Sequence, residues 1–245
     1  PEASTAASAT SAIAAPTLLW MHGRTAHKEI DPGRFLRLTR AGIGVISLDL
    51  PGHGERLEER LATPGASLEV VERMVGEIDG VVGAAAAEGL IRRDHLAIGG
   101  FSAGGMATLV RLCRPHIFRA ALVEATSGNW ESLQRRDLHD PERLERMNPI
   151  AHLEGWRPIP LMILHAEHDE WVPVDAQRSF VKALEAHGVP RELIEFHTFG
   201  RTGAPAEHIG FGRFAVQAKD LGTDFLRRHL LNEASATGDG PRNSA

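Results

Sequence analysis

The sequence is poor in the features that mark several large protein classes. Cys113 is its single cysteine, so no disulfide can close within the chain, and a redox pair or a cysteine-built zinc framework is excluded. Cys113 itself reads as a small apolar residue of the interior. There is no run of Lys or Arg, and the formal charge is −5, which argues against nucleic acid or an anionic membrane surface as the main partner. No stretch approaches the roughly 18 consecutive apolar residues of a membrane-spanning helix. No basic residue precedes Arg24, so the N-terminal part lacks the n-region of a secretory signal and a cytoplasmic location is expected. A nucleotide loop is missing too. The glycines between Gly99 and Gly105 do not fit G-x-G-x-x-G, and no Gly-Lys-Ser/Thr follows them.

What the sequence does have is a rhythm. Its 245 residues suffice for one large domain that buries roughly three-quarters of its unfolded surface. Short apolar runs at Thr17–His22, Gly44–Leu50, His95–Ile98, Arg119–Glu124, Pro160–His165 and Glu192–Thr198 alternate with helical patterns. Asp31-Pro32 opens the first helix as N-cap and N1, and Gly42 stops it. Ser67–Glu88 carries Val71, Val75, Ile78 and Val82 at helical spacing, and Ile209–Leu231 carries Phe211, Phe214, Ala218, Leu221 and Phe225. The alternation predicts an α/β fold, a mostly parallel sheet of about six strands covered by helices on both faces. Residues 1–16 and 232–245 read as mobile polar tails flanking a domain over 17–231. Residues 127–157 break the rhythm and read as a short cap insertion, with helical turns expected near Leu133 and over Arg143–Met147.

In such sheets chemistry lies just beyond the carboxyl ends of the strands. Gly100-Phe101-Ser102-Ala103-Gly104 fits G-x-S-x-G and falls between a strand pattern and a helix pattern, where a strained turn exposes the serine. A nucleophilic serine needs a base, and the base needs a group that orients it. Asp169 follows the fifth strand and is the expected acid, with Glu124, at the end of the fourth, as its competitor. His208 precedes the last helix and is the expected base; His197, inside the sixth strand and read as facing the sheet layers, and His229 are the alternatives. The backbone N–H groups of Ala103 and Arg24 are expected to form an oxyanion hole, Arg24 coming from His22-Gly23-Arg24 after the first strand. The Arg24 side chain is expected near the pocket mouth. His165 and His168 lie close to Asp169 but lack the helical spacing of a metal site, so neither metal nor cofactor is expected.

Taken in order, His22-Gly23-Arg24, Asp49-Leu50-Pro51-Gly52-His53-Gly54, the Ser102 turn, Asp169 before Val172-Pro173, and His208 resemble the α/β-hydrolase superfamily. The likeness is greatest to small bacterial esterases of the prolyl-oligopeptidase and dienelactone-hydrolase branch, and it spans residues 17–231. It departs from that pattern at Ala166, where the acid motif usually has Gly, and in lacking the first two antiparallel strands. The resemblance implies hydrolysis of short-chain carboxylic esters through an acyl-enzyme, with His53 structural. A thioesterase, peptidase or acyltransferase of the same fold, or a non-catalytic binding protein, are the alternatives. The expected partner is a small ester; the sequence does not specify an oligomeric state.

Overall fold

The computed structural model describes residues 14–131 and 140–231; residues 1–13 of the expected N-terminal tail, the expected C-terminal tail and the turn expected at Leu133 lie outside them. The elements alternate as the sequence rhythm predicts: β1 (Thr17–Met21), α1 (Pro32–Arg40), β2 (Gly44–Leu48), α2 (Glu59–Ala62), α3 (Ser67–Ala87), β3 (Leu96–Phe101), α4 (Ala103–Leu112), β4 (Ala120–Glu124), α5 (Pro141–Met147), β5 (Leu161–Ala166), α6 (Val174–Ala186), β6 (Ile194–Phe199) and α7 (Ala215–Leu230). Among the described residues all six strands pair in parallel, in the order β2-β1-β3-β4-β5-β6.

Strand alternation divides the interior into two cores. Leu18 and Trp20 of β1 face one core with Leu38 of α1 and Phe225 and Leu226 of α7. Leu19 and Met21 face the other, with Val71, Val75 and Ile78 of α3 and Leu109 of α4. Both faces of the sheet are therefore covered, as continuous apolar strands require. Each such fully buried side chain contributes roughly 1.5–3 kcal/mol. No helix among the described residues is long and apolar enough to cross a membrane.

One difference from the sequence reading shapes the site. The last helix begins at Ala215 rather than Ile209. Gly210 and Gly212 adopt φ of 79° and 45°, and a Cβ on Gly212 would fall 2.3 Å from Thr202 O. That turn holds Phe211 and Phe214 against Phe199, at ring separations of 5.0 and 5.4 Å, and leaves His208 in a loop. In the insertion, helix α5 covers the span expected around Arg143–Met147, capped by the Asp140 side chain. Trp130 and Trp156 are buried anchors, the latter edge-on to Phe180 at 5.8 Å.

The chain runs from β1 outward to β2 and then crosses back to β3. The carboxyl ends of β1 and β3 thus flank a topological switch point, where α/β sheets open a crevice.

Candidate active site

Ser102 stands at that switch point, between the last residue of β3 and the first of α4, with φ 50° and ψ −114°. A side-chain-bearing residue in this region is strained by about 1–3 kcal/mol. Its neighbours hold it there. Ser102 N donates to Glu124 O at 2.8 Å, and Thr126 Oγ1 donates to Ser102 O at 3.0 Å. Gly104 must lack a side chain, because a Cβ would lie 2.2 Å from Met21 O. The turn is therefore clamped between the ends of β1 and β4, and α4 presents its N-terminal N–H groups beside the serine.

His208 Nε2 lies 3.0 Å from Ser102 Oγ, and His208 Nδ1 lies 2.7 Å from Asp169 Oδ2. An ionised carboxylate only accepts, so Nδ1 carries the proton and the Nε2 lone pair faces the serine hydroxyl. His208 is 2% exposed and Asp169 7%, so this line of contacts is shielded from water except at the serine. The other carboxylate oxygen, Asp169 Oδ1, accepts from Trp171 N at 2.8 Å and Val172 N at 2.7 Å. The Asp169 carboxylate is thereby held on both oxygens.

With that geometry established, comparison with known proteins places the chain. The pattern of the prolyl oligopeptidase family matches residues 37–232, which include Ser102, Asp169 and His208. The chain belongs to the prolyl oligopeptidase family. It is a serine hydrolase with an α/β-hydrolase fold. The esterase YjfP of Escherichia coli is 27% identical over 231 residues, 88% of this chain and 89% of that one. The crystal structure of TT1662 from Thermus thermophilus superposes with a TM-score of 0.71 at 24% identity, covering 91% of this chain and 92% of that one. A puromycin-hydrolyzing peptidase of Mycobacterium tuberculosis gives a TM-score of 0.64 at 23% identity, covering 90% of this chain but 35% of the peptidase.

The alternatives weighed from the sequence of this family member separate cleanly. Glu124 turns toward α1, where Arg34 Nη2 meets its Oε2 at 2.8 Å. His197 lies on the edge strand β6 with its side chain 39% exposed, 3.8 Å from Glu195, so it does not face the sheet layers as expected. An edge strand leaves that position to solvent. His229 packs on Phe225 at 4.7 Å in α7.

On the β1 side, a Cβ on Gly23 would lie 3.3 Å from Ser102 Cβ, so this peptide runs beside Ser102. His22 Nε2 accepts from Leu50 N at 3.0 Å. Its proton is therefore on Nδ1, which donates to Gly23 O at 2.6 Å. In a trans peptide the N–H opposes the C=O, so holding Gly23 O also fixes the direction of the Arg24 N–H. Burial lowers the His22 pKa, only partly offset by its bond to Gly23, which preserves this neutral tautomer.

The Arg24 side chain corrects the expectation that it faces the pocket mouth. Its Nη1 donates to Ser67 Oγ at 2.5 Å, and its Nη2 donates to Ala62 O and Thr63 O, both at 2.7 Å. The guanidinium stitches the end of β1 to the segment between α2 and α3. His53, read as structural, is buried and 2.9 Å from Pro51 O through Nδ1.

Sequence reasoning missed Glu207. Its carboxylate accepts from Thr202 N at 2.6 Å, Thr202 Oγ1 at 2.7 Å and Gly203 N at 3.1 Å, closing the loop that carries His208. Glu170 N donates to Ala206 O at 3.1 Å, tying the acid loop to the histidine loop. The only sequence signal was a carboxylate directly before the histidine.

Proposed function

We propose that the protein hydrolyses short-chain carboxylic esters through an acyl-enzyme on Ser102. The observation that carries this reading is the continuous contact from Ser102 Oγ through His208 to Asp169. His208 Nε2 takes the hydroxyl proton as Oγ attacks the ester carbonyl, and Asp169 stabilises the imidazolium. The tetrahedral oxyanion is held by the N–H groups of Ala103, at the start of α4, and Arg24, on the peptide that His22 orients. His208 then protonates the departing alcohol, and water repeats the sequence to release the acid. Every proton moves between these residues, substrate and water.

Esterase rather than peptidase activity is supported by the near end-to-end match to an E. coli chain named as an esterase. The matched peptidase extends far beyond the shared region, which covers 35% of it. The preference for short acyl chains rests on the insertion. Its described part is one seven-residue helix and single turns, with both tryptophans used as anchors, so little apolar wall remains to cover a long chain. Each uncovered methylene forgoes about 0.8 kcal/mol.

The test is a series of p-nitrophenyl esters from C2 to C16, with wild type and S102A. We expect kcat/KM to peak at or below about C4–C6, and S102A to lose at least about a thousandfold in turnover. Turnover retained in S102A would remove Ser102 as the nucleophile; a maximum at C10 or beyond would overturn the short-chain assignment.

A further inference from the structure

The imidazole of His208 lies against two aromatic rings. Phe101 is at 5.4 Å between centroids, tilted by 56°. Trp171 is at 4.8 Å, tilted by 38°. The two rings differ in setting. Phe101 ends β3 directly before the serine and is partly buried, whereas Trp171 is 44% exposed. The other three tryptophans are 0–6% exposed, so this large apolar ring alone among them faces solvent. What it covers is His208, which is 2% exposed.

The backbone of Trp171 belongs to the same arrangement. Its N–H donates to Asp169 Oδ1 at 2.8 Å, so one residue contacts both the acid and the base. The charged and titratable groups around the imidazole are few. Asp169 touches Nδ1. His165 lies 3.6 Å from the same Asp169 oxygen through Nε2, the nitrogen that donates to Val172 O, and burial keeps it neutral by lowering its pKa. The Glu207 carboxylate is spent on Thr202 and Gly203, and Glu170 joins the loops through its backbone. The face of the imidazole toward solvent is therefore set by an indole rather than by a charge.

We propose that Trp171 is a positioning residue that shields His208 and stabilises its imidazolium through the indole face. A cation against an aromatic face is attracted by the ring quadrupole, most strongly for Trp. In the reaction the imidazolium forms as the serine proton moves, so this attraction favours the transition state over the neutral resting site. This role rests on the assignment of His208 as the base, and the experiment separates the two.

An adjacent imidazolium quenches indole fluorescence, which gives a readout independent of ester turnover. Wild type, W171F, W171L and H208Q are titrated from pH 4.5 to 8.5, following Trp emission and, for the active variants, kcat/KM on p-nitrophenyl acetate. Wild type should brighten with rising pH at the midpoint of its acidic activity limb, and both W171F and H208Q should lack that transition. W171L keeps an apolar cover but removes the π face. Its acidic limb should move to lower pH by about half a unit, and its kcat should fall about threefold to tenfold. W171F should recover the wild-type limb and most of the turnover.

Equal losses in W171F and W171L with an unmoved limb would reduce Trp171 to packing and overturn the inference, as would a fluorescence transition that survives in H208Q. If instead S102A remains active while the H208Q-sensitive transition is present, the contact stands and the catalytic reading fails. If S102A is dead and W171L leaves the limb and kcat unmoved, the reverse holds. The wild-type and H208Q emission curves decide the contact even if W171L does not fold.

Discussion

Two buried carboxylates follow neighbouring strands of one sheet and live in opposite environments. Glu124, at the end of β4, is 2% exposed, and its Oε2 meets Arg34 Nη2 at 2.8 Å. Burial works against the Arg34 charge, but Glu124 and Asp31 outweigh it and raise its pKa. Arg34 also lies 4.3 Å over the Trp20 ring, and Asp31 is bound in turn by Lys219 at 2.9 Å. Burial pushes the Glu124 carboxyl up, against the Arg34 charge that favours its ionised form, and among the described residues its only ion-pair partner is a guanidinium. Asp169, beyond β5, faces two backbone N–H groups and one imidazole. Among the described residues its only side-chain partner within hydrogen-bond distance is an imidazole. A carboxylate with a guanidinium holds structure together; a carboxylate with an imidazole can take part in proton transfer.

The sharpest way to break this comparison is to neutralise each carboxylate without changing its shape. In D169N the amide oxygen can still accept from Trp171 and Val172, but the NH2 group then faces His208 Nδ1. Two donors cannot pair, so the imidazole is driven to the tautomer with its proton on Nε2, facing the serine. Turnover should fall about 10⁴-fold with little loss of stability. E124Q should do the opposite. It leaves Arg34 buried without its main counter-charge, at a cost of about 3–5 kcal/mol, on the order of 10 °C in melting temperature for a domain of this size. Turnover of the folded fraction should stay within about fivefold, because Ser102 is held by the Glu124 backbone rather than its carboxylate. Comparable catalytic loss in both variants, measured on ester substrate well below the melting point, would erase the distinction.

A second contrast is the response to acid. His22, His53 and His165 all lie on the carboxyl-end side of the sheet, and burial is the first cause lowering each pKa from the usual 6.5. Unfolded, they take up protons as the pH drops through 6.5; folded, they resist until lower pH. The unfolded state therefore binds more protons in that window, so stability is complete above it and lost as pH falls, by at most about 1.4 kcal/mol per unit for each histidine. Urea midpoints of the wild type should decline between pH 7.5 and 5.5. A flat wild-type curve would remove the histidines as the acid-sensitive element.

The carboxyl-end cluster of the candidate site was legible in the sequence because each of its parts follows a strand: Ser102 after β3, Asp169 after β5, His208 after β6. Strand ends are marked by local patterns, and order along the chain is enough to bring these residues together. Side-chain directions were not legible. Nothing local says that the Arg24 guanidinium turns to carbonyls of residues 62 and 63, because that depends on where a separate segment packs. The same holds for Trp171 over His208, and for His197, whose exposure follows from β6 being an edge. Helix α7 starts late because Gly210 and Gly212 take positive φ, while the apolar spacing of Phe211 and Phe214 imitates a helix across them.

The smallest expected effect sharpens the comparison at the nucleophile itself. Among the described residues the Arg24 side chain has no carboxylate partner, unlike Arg34; its contacts are a hydroxyl and two carbonyls. R24A removes those three bonds and keeps the backbone N–H that we assign to the oxyanion hole, with His22 still holding the Gly23 carbonyl. Thr63 O is at the surface and can turn to water, so the net loss should be about 1–2 kcal/mol. Leu61 and Ala66 remain buried and keep the segment docked. Turnover of neutral acetyl and butyryl esters should fall less than about tenfold, mostly through KM as the rim loosens. Acidic esters should fall by the same factor as neutral ones, since the guanidinium points into the protein rather than at the substrate. A selective loss on acidic esters would show that Arg24 swings toward the bound substrate, and a loss on neutral esters as severe as that of D169N would make the side chain itself part of the chemistry.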